Sequence, residues 1–74
     1  MKDIQYEIVK EIAVLSASDS GYTKEINLIS WNGKEPKYDI RSLSPNREKC
    51  GKGITLTEKE AENLLASLKK ELTQ

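Results

Sequence analysis

Trp31 is the only tryptophan in this 74-residue chain, and it stands among cations. From Lys24 to Lys52, seven Lys/Arg face four Asp/Glu, an excess of three positive charges in a chain of zero formal net charge. Cations attract phosphates, and a flat ring offers a surface on which an unpaired base can stack. The combination suits a single-stranded nucleic acid. Zero net charge counts against a strong polyanion binder. The distribution answers that objection, because the rest of the chain carries the compensating acids, clustered in Met1–Glu11 and Glu58–Glu62. The sequence describes a dipolar protein with one basic face.

Other chemistries find little material. There is no histidine, so neither a Ser-His-Asp nor a Cys-His arrangement can be built. Cys50 is the single cysteine; it cannot close an intrachain disulfide or hold zinc by itself. No Asp/Glu pair stands out as an acid–base couple. The expectation is a protein that is not an enzyme and uses no cofactor and no metal. The lone thiol fits a reducing compartment. No apolar run approaches the roughly 18 residues of a membrane span, and the N-terminus lacks a signal-peptide core. A cytoplasmic protein is expected, free or associated with the nucleoid, with no membrane partner.

One domain, residues 1–74, is the most this length allows, and a chain so short buries a small core. With no disulfide or metal to staple it, self-association is the remaining route to stability. A homodimer is therefore expected.

The elements that must position Trp31 read as β-β-β-β-α. Ile4, Tyr6 and Ile8 alternate with polar residues in a first strand reaching Leu15, with a bulge expected near Lys10–Glu11 where the phase breaks. Tyr22–Trp31 forms the second strand, Asn32-Gly33 a hairpin turn, and Lys37–Leu43 the third. Gly53–Leu56 makes a short fourth. Thr57-Glu58-Lys59-Glu60 is a capping box. It opens a helix to about Leu72 whose apolar stripe is Ala61, Leu64, Leu65, Leu68 and Leu72.

A four-stranded antiparallel sheet has two faces, and one helix covers only one of them. Ile26, Leu28, Tyr38 and Ile40 belong on the covered side. The open side then carries Asn27, Ile29, Trp31, Lys37 and Arg41. On that side Trp31 could stack a base or pack as core. Arg41 could meet a phosphate or an adjacent acid. Lys49 and Lys52 could do the same, or belong to a solvated loop. Gly51 and Gly53 could let a backbone approach closely, although the spacing is not that of a phosphate loop. The leucines could face their own sheet, a second copy, or both.

Ser30-Trp31-Asn32, Glu35-Pro36-Lys37-Tyr38-Asp39-Ile40-Arg41 and Gly51-Lys52-Gly53-Ile54-Thr55-Leu56 ahead of a terminal helix resemble the bacterial YdbC proteins. These belong to the superfamily of the eukaryotic transcriptional coactivator positive cofactor four. The resemblance spans nearly the whole chain. It implies an α+β fold, a curved four-stranded antiparallel sheet with a C-terminal helix, assembled as a homodimer. It also implies single-stranded DNA bound along the exposed sheets with little sequence preference, in transcription or DNA maintenance. Carried over residue by residue, Trp31 is the stacking aromatic, while Arg41 and Lys52 meet the strand, with Lys37 and Lys49 placed by neighbourhood. Asn27 and Gly53 lie in the same surface, and Leu64, Leu65 and Leu68 fall at the dimer interface. The chain departs from the coactivator in lacking a long basic or Ser-rich tail, so functions owed to such a tail do not transfer.

RNA stays open as a partner, because no residue is diagnostic for a 2′-hydroxyl. The alternative function is a small adaptor that pairs with a protein through an exposed strand edge and binds no nucleic acid.

Overall fold

A computed structural model describes residues 5–73. Ile4, expected to open the first strand, lies outside the described residues. Four strands, β1 (Tyr6–Ala17), β2 (Thr23–Trp31), β3 (Lys37–Leu43) and β4 (Cys50–Leu56), form one antiparallel sheet in the order β1-β2-β3-β4. One helix follows, α1 (Glu58–Leu72). No helix among the described residues is long and apolar enough to cross a membrane.

Local chemistry accounts for the connections. Asn32 and Gly33 take φ 53° and 75°, and Lys34 N–H donates to the Trp31 carbonyl at 2.9 Å. Two consecutive positive φ values make the tight hairpin turn whose twist matches the strands it joins. Thr57 caps α1 reciprocally with Glu60: the Glu60 amide donates to Thr57 Oγ1 at 3.1 Å, and the Thr57 amide to Glu60 Oε1 at 2.9 Å. Glu58 and Glu60 in the first turn, and Lys69 and Lys70 in the last, complement the helix dipole.

β1 departs most from expectation. In place of one bulge, the register against β2 shifts three times, between Ile8 and Lys10, Glu11 and Ala13, and Val14 and Ser16. Val9, Ile12 and Leu15 are the residues left over, and all three are exposed. Each extra residue bends the strand and adds twist. The amide of Ile12 donates to Asn27 Oδ1 at 3.3 Å instead of to a ladder carbonyl. β4 begins at Cys50, three residues before the expected start, and a register shift lies between Arg41 and Leu43 on β3.

Burial inverts the expected faces. The side carrying Ile26, Leu28, Tyr38 and Ile40 is only half-buried. The helix lies there, since Ile26, Tyr38, Ala61 and Leu65 line one groove of ≈ 280 Å³. No residue of α1 is buried. Ala61 and Leu64 are half-buried, whereas Leu65, Leu68 and Leu72 are 67%, 47% and 76% exposed. On the opposite side, Ile29, Leu43 and Asp39 are fully buried, with Glu25 and Asn27 nearly so. That side has no helix. Its own long side chains cover it.

Candidate nucleic-acid interface

Glu25, Asn27, Ile29 and Trp31 alternate along β2 and point to the helix-free face. Tyr6 stands directly across from Trp31 in the ladder, with ring centroids 5.2 Å apart and planes tilted by 33°. Arg41 pairs in register with Glu25, far down β2 from Trp31. Its guanidinium carbon nevertheless lies over the indole, 4.7 Å from the ring centroid. The two side chains reach toward each other across Asn27 and Ile29, which explains the burial of both without a covering helix. The indole Nε1 is buried with no hydrogen bond to the described residues. Packing against Tyr6 and the guanidinium therefore holds the ring.

Two buried carboxylates organise this surface. Asp39 receives Arg41 through Nε on Oδ1 and Nη2 on Oδ2, the latter at 2.9 Å, and Thr55 Oγ1 donates to Oδ2 at 2.9 Å. Arg41 Nη1 also donates to the Gly51 carbonyl at 3.2 Å. The bond to Asp39 raises the Arg41 pKa against the opposing effect of burial. Glu25 receives Arg47 Nη1 at 2.6 Å, Asn27 Nδ2 at 3.1 Å and the Thr23 hydroxyl. Burial pushes its carboxyl up, but the bonds from Thr23, Arg47 and Asn27 outweigh it and hold the pKa below the ordinary value.

Arg47 links the second carboxylate to the ring pair. It sits in the β3–β4 loop at φ 61°. Buried Ser44 closes that loop: its carbonyl accepts from the Arg47 amide at 2.9 Å and its Oγ from the Lys49 amide at 3.0 Å. Bonding to Glu25 raises the Arg47 pKa. The Arg47 carbonyl accepts the Tyr6 hydroxyl at 2.6 Å. Burial raises the Tyr6 pKa, so the phenol stays a donor at neutral pH.

The sequence candidates thus separate. Trp31 and Arg41 come together, half-buried, on the helix-free face. Lys37, Lys49 and Lys52 are exposed. Asn27, expected on an open surface, is 2% exposed, and its amide is spent on Ile12 and Glu25. Its side chain bridges the bulged β1 and the buried Glu25 carboxylate. Gly53 pairs with Arg41, and a Cβ there would overlap the Arg41 Cβ and the Ile40 carbonyl. Its role is to let β4 approach β3. Tyr6, Glu25, Asp39 and Arg47 join this cluster in addition to the residues the sequence singles out. Asp39 and Arg41 share a strand face at i, i+2, a signal that was available. Arg47 reaching back to Glu25 left no local trace.

The chain is thus a single antiparallel meander, backed by one capped helix and carrying an aromatic–guanidinium cluster on its free face. The family model described as Transcriptional Coactivator p15 (PC4) matches residues 18–67. This chain belongs to that family. It is also 48% identical, over 58 residues, to an uncharacterised protein of Treponema pallidum (strain Nichols), a match covering 78% of this chain and 68% of the relative.

Proposed function

We propose that this protein binds single-stranded DNA, with little sequence preference, on the helix-free face of its sheet. Membership of the p15 family supports single-stranded DNA binding. The observation that carries the reading to this surface is the arrangement of Tyr6, Trp31 and Arg41, with Lys37, Lys49 and Lys52 exposed on β3, β4 and the loop between them. Bases stack on the aromatic cluster, and the lysines neutralise phosphates. Binding positions the strand without reading base edges, so sequence matters little.

The working unit in this reading is a homodimer. Leu65 and Ile12 line one groove, Leu65, Leu68, Ile54 and Ile12 are all exposed, and a second copy of the chain would cover them. The adaptor alternative needs a regular free edge. The three register shifts against β2 make the β1 edge irregular, and bulges of this kind protect edges, which leaves β4 as the edge on which a partner strand would have to pair.

Titration of labelled oligo-thymidine, the matching duplex and an RNA of the same length tests the reading. Oligo-thymidine should bind well ahead of duplex, because a duplex hides the base faces. Equal affinity for single strand and duplex at moderate salt would reduce the interaction to charge attraction and defeat the proposal. The RNA arm decides whether the 2′-hydroxyl matters.

A further inference from the structure

We propose that Arg41 serves the single-strand site as a positioning residue that holds the Trp31 ring, and makes no phosphate contact of its own. This rests on the single-strand reading above. A strand-face arginine beside a tryptophan invites the opposite assignment, that of a cation aimed at the backbone.

The geometry points away from that assignment. The Arg41 side chain is only 15% exposed, and Asp39, its partner, is fully buried. A guanidinium carries five N–H donors in a fixed fork. Two nitrogens are held by the Asp39 carboxylate and the third donates to the Gly51 carbonyl. A nearby phosphate would therefore meet an ion pair, not a free cation. Turning the fork outward would strand a buried carboxylate, which is costly.

The same bonds fix the guanidinium plane over the indole. The indole N–H has no hydrogen bond to the described residues, so nothing polar on the ring itself sets its pose. Gly53 tightens the arrangement, because its missing side chain lets β4 lie against the Arg41 backbone. The chain of control runs from Asp39 through Arg41 to Trp31.

Charge and shape can be separated by substitution. Arg41→Lys keeps the charge and loses the flat, two-pronged fork. Arg41→Gln loses the charge. A positioning role predicts that both lower affinity for oligo-thymidine about ten-fold, within the range of one lost stacking contact. Both should leave the slope of log K against log salt at the wild-type value. In the unliganded protein, both should also lower Trp31 fluorescence anisotropy. A phosphate role predicts instead that Arg41→Lys binds like wild type, while Arg41→Gln flattens the slope by about 1.4 for two protomers. That result, with Trp31 anisotropy unchanged, would overturn the proposal.

A second measurement keeps Arg41 in place. In a protein carrying Lys37→Gln, Lys49→Gln and Lys52→Gln, the slope should fall close to zero. A residual slope of about −1.4 that disappears when Arg41→Gln is added would show that Arg41 does engage phosphates. If the wild-type protein does not bind oligo-thymidine, the single-strand reading itself fails. The anisotropy comparison in the free protein still decides whether Arg41 holds the ring.

Discussion

Arg47 donates through Nη1 to the buried carboxylate of Glu25 at 2.6 Å, tying the β3–β4 loop to the first half of β2 across 22 positions of sequence. The same residue offers its carbonyl to Tyr6, the neighbour of Trp31. One loop residue therefore fastens both the buried polar layer and one side of the aromatic pair.

Arg47→Ala should destabilise the fold by about 1–3 kcal/mol, because it leaves a buried carboxylate short of a charged partner. The figure stays below that of a fully buried pair, since the Arg47 side chain is 36% exposed and Thr23 and Asn27 still donate to Glu25. Urea unfolding of the variant should show a lower midpoint with an unchanged m-value. An unchanged midpoint would mean that the loop is held by other contacts.

Stability should fall on acidification partly through Glu25. Its pKa is depressed in the folded state, so the unfolded chain takes up the proton first as pH drops. The stabilisation is fully present above the ordinary carboxylate value and is lost as pH falls through the lower folded value. Melting temperatures recorded from pH 7 to 3 should decline more steeply for wild type than for Glu25→Gln. Parallel curves would remove Glu25 as a source of the acid sensitivity.

Trp31 fluorescence should be quenched by oligo-thymidine, and Trp31→Ala should lose about 1–3 kcal/mol of binding per stacked base. Tyr6→Phe keeps the ring but removes the bond to the Arg47 carbonyl, at a cost of about 0.5–1.5 kcal/mol in stability. Binding by Tyr6→Phe should suffer much less than binding by Trp31→Ala. The opposite order, read in the same titration, would move the stacking surface from the indole to the phenol.

The salt dependence should count lysines. With Lys37, Lys49 and Lys52 from two protomers engaged, about six phosphates are neutralised, and log K should fall against log salt with a slope near −4. Lys37→Gln should make that slope shallower by about 1.4, while Lys70→Gln on the helix should leave it unchanged. A flattened slope in the Lys70 variant would relocate the strand to the helical side.

Sedimentation at micromolar concentration should return about twice the 8.4 kDa chain mass. Leu65 is 67% exposed within one chain, so Leu65→Glu should cost the protomer's own packing little and dissociate the pair. A wild-type monomer throughout that range would eliminate the dimer.

Features under short-range chemical control were legible in the sequence. The Thr57–Glu60 capping box and the Asn32-Gly33 turn are decided by residues in contact along the chain, and both formed where their residues said they would. The order of the strands and the helix that follows them were legible for the same reason. The bulges of β1 were not. Val9, Ile12 and Leu15 look like any apolar residues of a strand, and only pairing against β2 reveals that they are surplus. The start of β4 was equally hidden, because Cys50-Gly51-Lys52 has little strand character until β3 supplies its hydrogen bonds. Tertiary structure alone decided which face is buried. Alternation sorts residues into two faces but cannot say which one will be covered. Here Arg41 and Trp31, distant in the register, meet on the face where Asn27 and Ile29 are buried, while a helix with no buried residue leaves the apolar side half open. Contacts between side chains so far apart in sequence exist only once the sheet has curved to bring them together.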